Sequence, residues 1–499
     1  MKIQFLLLCC LLLAFSCWQK SNPEQSSSLD YFLPEAHNRT AAEWEPALGA
    51  LVVWPLGIPY TLAVELAKDS HLYTMVEDEA TKAEAQEWFA KWGIDPSKVT
   101  FIFAPQDVDA WWTRDWGPSA VFTKNEGMQL GDGKYLYSTP QTDLACNDSL
   151  RFLFFTPEGE IMLTQIEDDA TIPLAEQLGF GLLDLPFVNT GGNVITDGIG
   201  TAFSSCVLQR ENEYFGNDLQ HFLALNDSLL GFKDYHWLSN FENFGIQHID
   251  CLMKLLDEET MLVAQPPADH ELYEIYEDIV KNELSALKTA YGRPYRILRI
   301  GTDRYEREEL AAYTNSLILN KTVYVPLFDI PQDSIALQTW SDALPGYTVK
   351  GFSFYLADEL YQYEAMENHY RKYGWNDGDA LHCRTRAIWD PEMLFISVKK
   401  AENVIESGQA ATVYATIIDY SKKGLEPDQL HLKWRITGSD NWNINALNKT
   451  DNEHHFYATI APQDTDKSIE YFIEAQSKSG TMDRKPRTAP KGFYTFSYD

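Results

Sequence analysis

Cysteine is scarce in this chain, and basic residues are outnumbered. Seven cysteines occur in 499 residues, and Cys9, Cys10 and Cys17 fall at the N-terminus. The other four, Cys146, Cys206, Cys251 and Cys383, are too scattered to read as a disulfide framework. No CxxC pair or clustered Cys/His spacing offers a zinc site, so the sequence calls for no metal. Lys and Arg number 40 against 73 Asp and Glu, a formal net charge of −33. Such a surface repels nucleic acid and anionic membranes and draws in cationic ligands at low salt. A solvated surface that keeps the chain soluble accounts for the charge equally well. No GxGxxG or Walker-type loop is present, which removes the nucleotide signal and leaves no cofactor to invoke. Beyond the N-terminus no apolar run is long enough for a membrane helix.

The first 17 residues are a short basic start, an apolar core too short to span a bilayer, and small residues before Cys17. They resemble a bacterial lipoprotein signal in which Cys17 becomes the lipidated first residue of the mature chain. Phe15 beside Ser16 departs from the commonest form of that signal, so plain secretory cleavage is the alternative. Residues 18–42 include a Ser/Gln/Pro-rich stretch and read as a tether. The expectation is an exported protein, held at a membrane by a lipid anchor at most, or released into the periplasm or medium.

Hydrophobic residues make up 45% of the chain and aromatic residues 13%. That suffices for a large core and roughly two or three domains. From residue 43 to about residue 392, strand-like and helix-like stretches alternate. Leu51–Trp54, His71–Val76 and Val99–Phe103 read as strands, and Thr81–Trp92 as a helix stopped by Gly93. Three later stretches repeat one design, two apolar runs about a turn: Asn193–Ser205, His248–Ala264 and Tyr313–Phe328. Helical intervals separate them. A recurring unit of hairpin, helix and strand predicts an α/β repeat architecture rather than an open doubly wound sheet. Residues 393–499 are strand-like throughout, with turn residues at regular spacing, and predict an all-β sandwich of immunoglobulin or fibronectin type.

The chemistry gathers around Cys383, which sits in Trp375–Ile388 where a Gly-containing acidic turn leads into a β-like run. A single cysteine is more often a small buried hydrophobe than a nucleophile, so its partners decide. His248-Ile-Asp250 sits in a strand pattern, where side chains two apart share a face. Asp115 lies between Trp111-Trp112 and Trp116-Gly-Pro118, an aromatic and dehydrated setting. Burying that carboxylate is costly unless it is paired. Arg114 is one candidate partner; a cationic substrate is the other. Two carboxylates suit the N–H fork of a planar guanidinium, and Trp112 could lie along its aliphatic stem.

Trp112-Thr-Arg-Asp115, Thr190-Gly-Gly-Asn193, His248-x-Asp250, Tyr313-Thr-Asn-Ser-Leu-Ile318 and Ala380-Leu-His-Cys383 resemble, in order and spacing, the bacterial peptidylarginine deiminase and agmatine deiminase family. The trailing β module is similar to that of the peptidylarginine deiminase. The resemblance implies a five-bladed α/β-propeller (pentein-type) with the active site on its axis, followed by an immunoglobulin-like sandwich. It implies that Cys383 attacks a guanidinium carbon while Asp115 and Asp250 clamp the guanidinium nitrogens. His248 would protonate the leaving ammonia and then activate water. Asn315 would fall near the substrate, and Trp112 would form one wall. The implied partner is a cationic guanidino compound, arginine in a peptide or protein, with agmatine as the alternative.

One departure bears on the substrate. Relatives that act on C-terminal arginine hold its carboxylate with an arginine pair, and the matching stretch here, Leu163–Asp169, contains no arginine. A strand-rich insertion over about Lys124–Glu160 precedes it, and Arg151 within the insertion is the one candidate replacement. Asp115-Trp-Gly-Pro118 also looks more like the agmatine-type motif. Two rival readings belong to other classes. A thiol hydrolase needs only one orienting acid, which leaves Asp115 unexplained. A non-catalytic guanidine-binding lipoprotein has no need of both Cys383 and His248.

Overall fold

The computed structural model describes residues 37–105, 111–124, 126–135, 140–141, 151–152, 168–242, 246–305, 308–354, 374–375 and 379–499. The leader with Cys17, most of the tether and nearly all of the 136–167 stretch lie outside these. Arg151 is described only as backbone, in a two-residue strand.

Apart from a two-stranded pairing of Pro140–Gln141 with Arg151–Phe152, the described strands before residue 390 form five small sheets. In each, an antiparallel pair is followed by a parallel strand. Ile195–Thr196, Thr201–Ser205 and Asp234–Leu238 form one such set. Met253–Asp257, Thr260–Gln265 and Arg296–Gly301 form the next. Leu317–Leu319, Thr322–Leu327 and Thr348–Ser353 repeat the design. A four-stranded version joins Arg39–Thr40, Ser119–Thr123, Gly127–Lys134 and Gly181–Val188. In the fifth, Arg386–Trp389 pairs antiparallel with Ala47–Val53, and His71–Val76 and Val99–Phe103 follow in parallel. The last strand of this region therefore closes on one of its first. The sequence repeat reflects this unit, and all three predicted hairpins form at their expected turns.

The parallel strands demand crossover helices, and the sequence supplies them with suitable ends. Helix Glu79–Lys91 starts where Asp78 accepts the Thr81 N–H at 2.8 Å, and the chain leaves it through Gly93 at φ +74°. Both are standard devices for satisfying helix ends. Helix Gln332–Ala343 buries Ala336 and Trp340, and the Trp340 indole N–H is satisfied by the Tyr313 carbonyl at 3.1 Å.

From Leu394 the strands belong to two further sheets, with a core of their own that includes Val413, Leu432, Ile473 and Phe496. Leu394–Lys399, Ala411–Asp419, His455–Ile460 and Asn448–Lys449 form one. Leu425–Ile436 and Ile469–Ser477 form the centre of the other. Buried polar contacts tie this sandwich to the rest of the molecule. Lys485 Nζ lies 2.6 Å from Glu258 Oε1, with both side chains about 5% exposed. Arg39 Nε donates to Tyr420 at 3.1 Å, and its guanidinium lies over the Phe395 ring.

One reading of the sequence is corrected here. His248–Asp250 is not in a strand: Ile249–Leu252 is a single helical turn, with His248 at its N-terminal edge. Gln247, just before, has φ +55°, a left-handed backbone that ends any extended run. The strand begins only at Met253.

Candidate active site

Each sheet is entered through a short turn just before its first long strand, and these turns carry the candidate residues. Thr113–Trp116 brings Asp115, and Gly191–Asn193 brings the paired glycines. Ile249–Leu252 brings Asp250 with His248 at its edge. Tyr313–Asn315 precedes Leu317, and residues 381–384 hold Cys383 ahead of Arg386. Equivalent positions in five repeats thus meet at one place, although they are scattered along the chain.

Hydrogen bonds between the turns fix their relative positions. The Arg114 N–H donates to the Cys383 carbonyl at 3.0 Å. Asn193 Oδ1 accepts from the Ser205 N–H at 2.9 Å and the Ile249 N–H at 3.1 Å. Asn315 Oδ1 accepts from the His382 N–H at 2.9 Å and the Cys383 N–H at 3.3 Å. The amide of Asn315 then reaches the Cys383 sulfur, with Nδ2 to Sγ at 3.1 Å. Asn315 is therefore a direct holder of the thiol as well as a neighbour of the pocket.

Gly192 shows how tightly the polar groups converge. A Cβ there would lie 2.5 Å from Asp115 Oδ1, 3.0 Å from His248 Nδ1 and 3.2 Å from Asp250 Oδ2. Only a glycine leaves the pocket open. Its N–H donates to Asp115 Oδ1 at 3.0 Å, and the same oxygen is 3.5 Å from His248 Nδ1. Arg114, considered above as a partner for Asp115, instead sends its Nε to the His382 carbonyl at 3.3 Å. Among the described residues Asp115 therefore has no arginine hydrogen-bond partner, and its carboxylate faces the Gly192 N–H and His248.

Asp250 Oδ2 lies 3.9 Å from Cys383 Sγ and 2.7 Å from His382 Nδ1. The other ring nitrogen of His382 is 2.7 Å from Glu43 Oε2, which also receives Lys254 Nζ at 3.1 Å. Two carboxylates at that distance, one on each ring nitrogen, are both satisfied only if both nitrogens carry protons. His382 is thus held as a cation by Asp250 and Glu43, against burial and Arg114, which press its pKa down. His382, Glu43 and Lys254 were missed in the sequence. His382 stands next to Cys383 and could have been found there, whereas Glu43 is joined to it only by the fold.

The site electrostatics suit proton donation. Burial disfavours a charged His248, but the carboxylates of Asp115, Asp250 and Glu211 outweigh it and push its pKa up to about 9. Burial pushes the Cys383 thiol well above its ordinary range, and Asp250, Asp379 and Asp115 add to the effect. These shifts favour a thiol at Cys383 and an imidazolium at His248. Trp112 is half-buried at the edge, its indole N–H on Asp379 Oδ2 at 3.0 Å. Asp379 is fixed in turn by buried Arg384 at 2.6 Å. Cys251, also a thiol, is 3.6 Å from Asp250 Oδ1, and Cys206 is disulfide-bonded to a residue outside those described.

With this geometry in place, similarity to known proteins can be weighed. Residues 39–357 match the Porphyromonas-type peptidyl-arginine deiminase family. This chain belongs to that family. A Vibrio parahaemolyticus protein with the provisional name agmatine deiminase is 26% identical over 216 residues, covering 37% of this chain and 58% of that protein. A Shewanella baltica protein of the same provisional name is 24% identical over 302 residues, covering 55% of this chain and 74% of its own. Among solved structures, a Porphyromonas gingivalis protein with the provisional name arginine deiminase superposes with a TM-score of 0.53 at 19% identity, over 71% of this chain and 99% of that one. Enterococcus faecalis agmatine deiminase gives 0.53 at 16% identity, over 73% and 99%. These structures share the fold over a little more than 70% of this chain.

Proposed function

We propose that this protein hydrolyses the guanidinium of arginine in peptides or proteins, giving citrulline and ammonia through a covalent intermediate on Cys383. The observation that carries the reading is the meeting of Cys383, His248, Asp115 and Asp250 from separate repeats around the space kept open by Gly192. A guanidinium bound between Asp115 and Asp250 neutralises the charges that help to hold Cys383 protonated, so the thiol gives up its proton to solvent and is a thiolate when substrate is present. The thiolate attacks the guanidinium carbon. The C–N bond to the departing nitrogen then breaks as His248 gives it a proton, releasing ammonia. Neutral His248 takes a proton from water, whose oxygen bonds to the same carbon and expels the thiolate. The ureido product remains on the substrate.

Under this reading Asn315 steadies the sulfur, and Trp112 forms a wall beside the substrate stem. The five like sheets, closed by Arg386–Trp389 on Ala47–Val53, are the blades of a propeller around the site. The C-terminal sandwich is its immunoglobulin-like companion. The lipoprotein-type leader with Cys17 supports export and anchoring outside the cell, where peptides and proteins are the guanidine-bearing partners. Agmatine is the second reading. It is favoured by the agmatine-type Asp115-Trp-Gly-Pro118 and by the names of the Vibrio and Shewanella relatives.

Ammonia release tests both readings on an internal-arginine peptide, a peptide ending in arginine, its C-terminal amide, and agmatine. Turnover of the peptides with little preference for the free acid is expected. Turnover of agmatine alone would overturn the substrate assignment. No ammonia from any of the four, or undiminished release by Cys383→Ala, would overturn the reaction.

A further inference from the structure

Behind the catalytic turns lies a cavity of about 40 Å³ that none of Cys383, His248, Asp115 or Asp250 lines. A single water needs roughly 10–15 Å³, so this space is large enough for a small ion. Its walls include Arg114, Arg386, Lys254, Glu43 and His382. The three basic side chains Arg114, Arg386 and Lys254 are buried, at 2%, 4% and 1% exposure. Only Lys254 has a carboxylate, and it shares Glu43 with His382.

The two arginines are satisfied differently. Arg386 Nε donates to the Pro118 carbonyl at 2.9 Å, and its other nitrogens make only long contacts, 3.4 Å, to the Arg114 carbonyl and Ser119 Oγ. Arg114 Nη2 is buried and has no hydrogen-bond partner. Neither guanidinium makes an ion pair with any described residue. Glu43, Asp250 and Asp115 attract Arg114 from nearby, but Glu43 is engaged by the Ile318 N–H, Lys254 and His382, Asp250 by His382, and Asp115 by the Gly192 N–H. Burial, reinforced by Arg114, presses the pKa of Arg386 well down. A guanidinium does not escape by losing its proton at any ordinary pH. Water could satisfy the idle N–H group but would not offset the charge, because two neighbouring buried cations need a counter-ion.

We propose that this cavity binds one small monovalent anion, chloride or an ion of its size, held among Arg114, Arg386 and Lys254. The anion completes the charge balance behind the catalytic turns and is a structural ligand of the protein. The assignment makes no use of the reaction, so it stands or falls separately from the deiminase reading.

The test compares melting of the full chain after equilibration in sodium chloride and in sodium gluconate at equal concentration. Gluconate is too large for the cavity. Chloride should raise the melting temperature by at least about 2 °C over gluconate. Crystals soaked in bromide should show an anomalous peak between Arg114 and Arg386. Ser119→Asp places a carboxylate beside Arg386, and should abolish the chloride increment by supplying the charge from within. If that variant does not fold, Arg386→Gln should shrink the increment by removing one of the two cations. Equal melting in both salts, no bromide peak in the cavity, or an undiminished increment in the variant that folds would each overturn the proposal.

Discussion

The charge state of His248 offers the sharpest single test of the site, and Asp115→Asn is the perturbation to make. Asp115 Oδ1 is 3.5 Å from His248 Nδ1. At an effective dielectric constant of about 20, two unit charges at that distance attract by about 5 kcal/mol. Burial opposes this attraction, and the net result is a pKa raised from 6.5 to about 9, equivalent to about 3 kcal/mol. Because the folded value lies above the unfolded one, this stabilisation is fully present below pH 6.5. It is lost as pH rises through 9. Removing the Asp115 charge should return the imidazole to about its unfolded value or lower and abolish that pH dependence. For 499 residues, an unfolding entropy of about 2.1 cal/mol/K per residue makes 3 kcal/mol worth about 3 °C. Melting temperatures of the parent and Asp115→Asn should be measured from pH 6 to pH 10. The pH-dependent part of their difference should change by about 3 °C across that range, in the direction of the parent losing ground at high pH. Parallel curves would refute the claim that Asp115 holds His248 as a cation.

Other consequences can be checked with the same assays. Gly192→Ala should lower kcat/KM by about 100-fold, because the added methyl sits against Asp115, Asp250 and His248. Asp379→Asn should raise KM by loosening Trp112, and should cost about 3–5 kcal/mol by leaving fully buried Arg384 without its carboxylate. Ending the chain after Asp390 should leave measurable ammonia release in a protein that melts lower, since Glu258 loses Lys485. Adding Glu258→Gln to that shortened chain should recover part of the loss, by removing the uncompensated carboxylate.

What the sequence made legible depended on whether a feature was local. His71–Val76 and Val99–Phe103 occupy the predicted residues without a shift. Their apolar runs are bounded by turn residues, and no tertiary contact is needed to see them. The helix expected over Thr81–Trp92 forms over Glu79–Lys91, with Gly93 as its stop and a start two residues earlier at the unread Asp78 cap. The local pattern misled at His248–Asp250, because nothing nearby announces that Gln247 takes a left-handed backbone. That turn is held by Asn193, which is far away in sequence. Glu43 and Arg386 were invisible as functional candidates because their importance lies in what they face. Glu43 looks like any acidic residue until the fold sets it 2.7 Å from His382. Thr190-Gly-Gly-Asn193 was recognised as a motif, but its physical meaning needed coordinates. One glycine makes room for the clamp, the other leaves space for Arg386, and the asparagine pins the next turn.

The pairing of Arg386–Trp389 with Ala47–Val53 also sets an order of events during synthesis. The ribosome delivers Asp115, His248 and Asp250 well before Cys383, and the strand that seats the Cys383 turn has its partner at the opposite end of this region. A nascent chain can build several sheets and still possess no assembled thiol site. Contacts between such distant segments form late, because a long loop must be closed first. Under the proposed reaction the attacking group is therefore the last part of the site to be installed, and a chain that stops short of Arg386–Trp389 lacks the strand that seats it.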